Sequence, residues 1–199
     1  MAIDNEVLRT IRARRSTRKF TDEQISPEQL DALLEAATWA PSGGNNQSWL
    51  FTAIQNKGVL EKLNTVVREG FVGRYVPDDD YPSKHSVKER AKREDYNFYY
   101  HAPTLIIASN KPGYENAMAD CALALENIFL AAQSLGLGSC YINQLHWLRD
   151  DTDVRKYLFE LGIPREHTIC SSAAIGVIGT ESSVPPRREG AINIVRGEV

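Results

Sequence analysis

Disulfide and zinc chemistry are the first things this sequence lacks. Its three cysteines, Cys121, Cys140 and Cys170, are odd in number, far apart and without a CxxC pair. That spacing does not read as a disulfide framework or a zinc site, and a reducing compartment is the natural inference. A long apolar run is also missing: nothing approaches the ~20 residues of a membrane span. The opening stretch, MAIDNEVLRTIRARR, has an acid before any base and no apolar core of signal-peptide length, so a cytoplasmic protein without a membrane partner is expected. Charge of one sign is not in excess. Net charge is −3 and pI about 5.8, which gives no global reason to expect nucleic acid or an acidic membrane surface. With 42% hydrophobic and 25% charged residues in 199, the composition is that of a globular chain with a core of one domain's size. Asn46-Gln47-Ser48 spells a glycosylation sequon, which means nothing without secretion.

The common catalytic signatures are missing too. There is no P-loop, no GxSxG and no HExxH. GLGSCY resembles a dinucleotide glycine pattern, but it lacks the third glycine and follows a helix, whereas the fingerprint must open one. His85, His101, His146 and His167 are scattered, so no metal site and no side-chain nucleophile or base is expected. A chain without acid–base or metal constellations can still be an enzyme if a cofactor carries the chemistry.

What is present is a mixture of helices and strands without a βαβαβ rhythm, which reads as α+β. Residues 4–13 look helical, with Val7, Leu8 and Ile11 on one stripe. A better-marked helix follows: Ser26 as N-cap, Pro27 at the first position, Gln29 closing a capping box, then Leu30, Leu33, Leu34 and Ala37 at helical spacing. Residues 50–55 read as a strand and 57–69 as a helix. Residues 70–101 form a polar, charged and aromatic excursion with some helix, read equally as a substrate lid or as a solvated insert. PTLIIAS (103–109) reads as a strand buried on both faces. Residues 116–135 read as a long helix, apolar nearly all round and ended by Gly136. Burial of such a helix in so short a chain hints at a second subunit. Residues 139–142 and 169–178 read as strands, and AINIV near the C-terminus as a short strand-like piece.

Two stretches stand out chemically. Arg12 to Phe20, RARRSTRKF, concentrates guanidinium groups beside Ser16 and Thr17. It is a solvated basic helix end, a nucleic-acid or targeting patch, or an anion site in which arginine forks and a hydroxyl hold a phosphate. Ala40 to Trp49, APSGGNNQSW, places two glycines and three side-chain amides in one connection. A ligand with a phosphate at one end and a ring rich in donors and acceptors uses both stretches, and flavin mononucleotide (FMN) is such a ligand.

The chain resembles the FMN-dependent nitroreductase family. The matching pieces are RRSTRKF (14–20), LDALLEAATWAPSGGNNQSW (30–49), DCALALENIFLAAQSLGLGSCYI (120–142), LGIP (161–164), AAIGVIG (173–179) and PPRR (185–188), in the family's order. The resemblance implies a single FMN-binding domain over residues 1–199. Its fold would be a mixed, mainly antiparallel sheet flanked by helices, in an intertwined homodimer whose tail, 190–199, packs on the partner. It implies that Arg14, Arg15 and Ser16 hold the phosphate and the polar end of FMN. Arg18 stands near the flavin N1 and O2 as an electrostatic stabiliser. Pro41, Ser42, Gly43, Asn45 and Gln47 belong to the amide loop, with the Ser and Asn reaching the partner's flavin. Tyr141, Ile142, Asn143 and Gln144 form a strand end beside the ring, and Arg187 or Arg188 is the late phosphate ligand. Two departures accompany it: Ser48 stands where the family usually has proline, and Asn143 where some members carry an acid. The implied activity is hydride transfer from NADH or NADPH through FMN to nitroaromatics, quinones or similar flat acceptors, by ping-pong exchange. Flavin fragmentation or reductive dehalogenation is the alternative within the superfamily. A non-enzymatic anion- or nucleic-acid-binding module is the alternative outside it.

Overall fold

The computed structural model describes residues 3–197; Met1, Ala2, Glu198 and Val199 lie outside the described residues. In chain order the elements are α1 (Glu6–Ala13), α2 (Pro27–Thr38), β1 (Leu50–Ile54), α3 (Lys57–Gly73), α4 (Pro82–Ala91), β2 (Thr104–Asn110), α5 (Ala117–Ser134), β3 (Leu137–Ile142), α6 (Gln144–Trp147), α7 (Thr152–Glu160) and β4 (Thr168–Val177). The four strands form one sheet in the order β1-β2-β4-β3, every pair antiparallel. This is the mixed helix and antiparallel-sheet architecture expected. β2 and β4 are central, which is why their sequences are continuously apolar or small: a strand covered on both faces has no solvent side to alternate toward.

Two apolar layers cover the sheet. On one face Leu60, Leu63 and Val67 of α3, Val87 of α4, Leu145 of α6 and Leu158 of α7 pack on Leu105, Ile107, Cys140 and Ile142. On the other, Leu33 and Ala37 of α2 and Cys121, Leu125 and Ile128 of α5 pack on Ile106, Ala108, Ala173 and Ile175. The capping box on α2 is present in full: the Gln29 amide N–H donates to Ser26 Oγ and the Ser26 N–H to Gln29 Oε1. Alanines let α5 approach α2 closely, and Asn127 Nδ2 donates to the Ala36 carbonyl near the end of α2 at 2.9 Å. Gly136, at φ 71°, ends α5 in the left-handed conformation its sequence predicts.

Several expectations need correction. α3 runs on to Gly73 instead of stopping at 69, because Phe71 continues its buried stripe. Asn143 and Gln144 are not part of a strand end: Asn143 caps and Gln144 opens the one-turn α6, where Gln144 and Leu145 turn inward. AINIV forms no strand; Ile192, Ile194 and Val195 lie extended and exposed. In the single chain Met118 and Leu123 of α5 face outward, the part of the helix whose cover is expected from a second subunit. Of the aromatics of the 70–101 excursion, Phe71, Tyr96, Phe98 and Tyr99 are core residues. Only Tyr75 and Tyr81 are well exposed.

The feature that matters for the site is an addition to the sheet's edge. After α1 the chain runs along β3: Ser16 pairs with Ser139 in a parallel bridge, and the Thr17 N–H donates to the Ser139 carbonyl at 2.8 Å. Phe20 then bridges Ile178 in antiparallel fashion. The approach is possible because residue 138 is glycine. A Cβ there lies 2.8 Å from three side-chain atoms of the buried Thr17. Gly138→Ala is therefore expected to push residues 16–18 off the edge and to cost about 1–3 kcal/mol in denaturant unfolding. An unchanged midpoint would show that the segment yields without strain.

Candidate functional site

The edge segment gathers the guanidinium groups. Arg14, Arg15, Ser16 and Arg18 line a cavity of about 540 Å³ together with Ser182, Ser183, Pro185 and Arg187. The last four come from the extended chain after β4, which is tied to the edge segment by a hydrogen bond from Ser182 Oγ to the Ser16 carbonyl at 3.2 Å. Arg188 is not among the lining residues. The cavity is cationic with little internal compensation. Arg14 has one distant carboxylate, Glu126 at 3.6 Å, and its guanidinium also lies over the Phe129 ring at 5.9 Å. Arg15 donates from Nη1 to the carbonyls of Arg12 and Arg14, while its buried Nε has no partner among the described residues. The Arg18 guanidinium lies 5.9 Å from the centroid of Tyr100. Among the described residues Arg15, Arg18 and Arg187 have no carboxylate partner within ion-pair distance. Beneath them, burial raises the Cys140 thiol above its ordinary range, opposed by the charges of Arg18 and Arg14.

An unpartnered buried guanidinium nitrogen is costly unless a ligand completes it. Four arginines and three serines around one cavity have the donor chemistry of a phosphate site, since guanidinium forks match phosphate oxygens. The residues present therefore fit the phosphate end of FMN.

The amide loop lies elsewhere. Gly43–Asn45 makes one tight turn at the start of α5, with Gly44, Asn45 and Gln47 all at positive φ (59°, 55° and 48°). Two of these are not glycine, so the loop stores backbone strain, which clusters at functional sites. It is over-determined by its bonds. Ser42 Oγ accepts from the Gln47 N–H, and Asn45 Oδ1 accepts from Gln47 Nε2. The Gly43 N–H donates to the buried Asp120 carboxylate at 3.2 and 3.3 Å, and Tyr114 Oη donates to Asp120 Oδ2 at 2.8 Å and lies 3.1 Å from the Gly43 carbonyl oxygen. A Cβ on residue 43 meets the Asn116 and Tyr114 side chains at 2.2 and 2.6 Å, which explains that glycine. Ser48, at the position of the unusual family departure, is buried and its Oγ donates to Asn110 Oδ1 at 2.8 Å, a bond proline cannot make. The amides of Asn45 and Gln47 face outward, with Pro41 exposed beside them.

So one chain brings Arg14, Arg15, Ser16, Arg18 and Arg187 together and leaves Pro41 to Gln47 outside their cavity. Gln144 lines a neighbouring cavity with Tyr100, while Ile142 is buried in the core. Tyr141 is half-exposed beside Phe129, with ring centroids 6.4 Å apart. Burial raises its phenol pKa. The sequence carries no sign of the roles of Asp120 and Tyr114, because an acid and a phenol acting on backbone have no motif.

The antiparallel sheet flanked by helices has solved counterparts. The model of the nitroreductase family matches residues 11–177. The chain belongs to the nitroreductase family. A nitroreductase of Bacteroides fragilis, solved with bound FMN, is 44% identical; the match covers 97% of this chain and all of that one, with a TM-score of 0.88. A second family structure with bound FMN, from Desulfitobacterium hafniense, is 28% identical over 98% of this chain and all of its own, with a TM-score of 0.83. A protein of Archaeoglobus fulgidus, provisionally named an NADH dehydrogenase/NAD(P)H nitroreductase, is 32% identical over 176 residues, covering 86% of this chain and 84% of that one.

Within this family member, Asp120 is the residue on which the amide loop hangs. Asp120→Ala strands the Gly43 N–H and weakens the Tyr114 link. The expected cost is about 1–3 kcal/mol by thermal or chemical unfolding, the range for leaving a buried donor unpaired. A loss below the measurement error would mean that the loop is held by its own internal bonds.

Proposed function

We propose that this protein is an FMN-dependent oxidoreductase that takes reducing equivalents from NADH or NADPH and passes them to nitroaromatic, quinone or similar flat acceptors. The observation that carries the reading is the 540 Å³ cavity with its four arginines and Ser16 on the sheet edge. When bound, FMN would supply the two-electron chemistry between the reduced nicotinamide and the acceptor.

The chain's own residues do the rest. Arg14, Arg15, Ser16 and Arg187 hold the phosphate by charge-assisted hydrogen bonds. Arg188 lies outside that cavity and takes no part in this assignment. Arg18 holds a fixed cation on the side of the cavity that Tyr100 and Gln144 continue, a preorganised partner for negative charge arising there. Tyr141 to Gln144 supply the wall beside the ring. Ser42, Asn45 and Gln47, with Pro41 and Gly43, serve the cofactor of a second copy. Their outward-facing amides and their separation from the arginine cavity of the same chain support this.

The protein is a homodimer in this reading, and one FMN-binding domain spans the chain. The support is apolar surface that the single chain leaves open. α1 has no buried residue, with Val7 and Ile11 64% and 47% exposed. Trp39 is 79% exposed, and Ile192 of the C-terminal tail 82%. Patches of this kind mark interfaces, and the tail's place is on the partner. All three cysteines are buried and free, which suits a reducing, cytoplasmic setting. No helix among the described residues is long and apolar enough to cross a membrane.

The visible absorption spectrum of the desalted protein, before and after adding FMN, tests the assignment. Flavin bands that survive desalting are expected, and a colourless protein that takes up no FMN would overturn the reading. The Arg14→Ala/Arg15→Ala double variant is expected to raise the FMN dissociation constant about 100-fold or more, at roughly tenfold per charge-assisted contact. Retained FMN affinity in that variant would remove those residues from the phosphate site. Sedimentation is expected to give twice the 22.3 kDa chain mass, and a monomer would leave the amide loop without its role.

A further inference from the structure

Next to the arginine cavity lies a smaller one, of about 210 Å³, lined by Arg90, Arg93, Asp95, Tyr96, Asn97, Tyr100 and Gln144. Tyr100 joins the two: its ring lies under the Arg18 guanidinium and it lines the smaller cavity as well. The wall is built with strain. Tyr100 and His101 both sit at positive φ (57° and 56°), and Asn97 Oδ1 holds the turn by accepting from the N–H groups of Tyr99 and His101. Two consecutive non-glycine residues in the left-handed region persist only where surrounding bonds impose them, and such strain collects at ligand sites.

The charge in this cavity does not cancel. Arg93 is engaged by Asp95 through two bonds, Nε to Oδ1 at 3.0 Å and Nη2 to Oδ2 at 2.9 Å, so that pair is neutral. Arg90 has a single long bond, Nε to the Ser86 carbonyl at 3.4 Å, and no carboxylate partner among the described residues. Its terminal nitrogens make no hydrogen bond to the described residues. Nor does the side-chain amide of the nearly buried Gln144, and the buried Tyr96 Oη has no partner among them either. The cavity thus offers one solvent-exposed guanidinium fork without a carboxylate partner, an amide and an aromatic wall. Its volume suits one substituted aromatic ring.

We propose that this cavity is the acceptor subsite and that it selects flat aromatic acids, with Arg90 holding the carboxylate and Tyr100 flanking the ring. A carboxylate presents two oxygens to the fork in the geometry guanidinium prefers, and a neutral analogue leaves Arg90 unengaged. This deepens the oxidoreductase reading and rests on it.

The test uses the full-length, flavin-loaded protein and the pair 4-nitrobenzoate and nitrobenzene, which differ by one carboxylate. The wild type is expected to favour 4-nitrobenzoate in kcat/KM. Arg90→Gln is expected to lower the ratio of the two kcat/KM values at least about tenfold, mainly by weakening apparent binding of the carboxylate-bearing acceptor while its kcat holds. Arg90→Lys is expected to restore part of it. A ratio that does not move, or equal losses for both acceptors, would overturn the proposal. So would an Arg90→Gln effect confined to NADPH relative to NADH, which would place the anion on the dinucleotide. Flavin content and turnover with neutral quinones report separately on the oxidoreductase reading. If that reading fails, calorimetry with benzoate and benzyl alcohol on the same full-length protein still decides: benzoate binding lost in Arg90→Gln sustains the anion subsite, and absent or equal binding removes it.

Discussion

The hydrogen bond from the Thr17 N–H to the Ser139 carbonyl is the contact on which the site depends. It lays a run of arginines along the outer edge of β3, where their side chains can gather without entering the core. The Phe20–Ile178 bridge fixes the far end of the run, and Gly138 gives the backbone room to approach. An edge strand normally exposes a row of unpaired backbone groups. Here the edge is covered by the segment that carries the clustered arginines, so one set of bonds protects the sheet and builds the candidate site.

The same economy governs α5. Its inner face closes one layer of the core, and its first turn supplies Asp120, which holds the amide loop through Gly43 and Tyr114. Its middle faces Arg14 through Glu126 and Phe129. One rigid helix therefore sets the distance between the two halves of the site. In the single chain those halves do not share a cavity, and the exposed apolar faces of α1 and the tail remain uncovered. Both facts motivate the proposed second copy, which would bury the apolar surface and bring its own loop to the arginines.

Where local pattern and structure part company, tertiary packing has the deciding part. The aromatics of the 70–101 excursion have the composition of a pocket wall, but Phe71, Phe98 and Tyr99 serve the core, because α3 and α4 fold back over the sheet. AINIV has strand-like composition and no strand beside it, and a strand cannot form without a pairing partner. Asn143 and Gln144 belong to a helical turn because the chain must leave β3 to reach α7. In each case the local pattern is apolar or β-prone as the residues suggest, and its use depends on neighbours far away in sequence.

The sequence by itself determined the elements and their covering. The capping box of α2, Gly136 at the end of α5 and the unbroken apolar runs of β2 and β4 act over a few residues, and local chemistry suffices to fix them. It also determined the chemical character of the site, since Arg14, Arg15, Ser16 and Arg18 are nearly contiguous and keep their donors whatever the fold. Only the tertiary structure decided which of Arg187 and Arg188 joins them, that Asp120 and Tyr114 anchor the loop, and that Arg90 stands uncompensated beside Tyr100. Those assignments depend on contacts between residues tens of positions apart, and the free energy of such contacts is set by packing that no local stretch encodes.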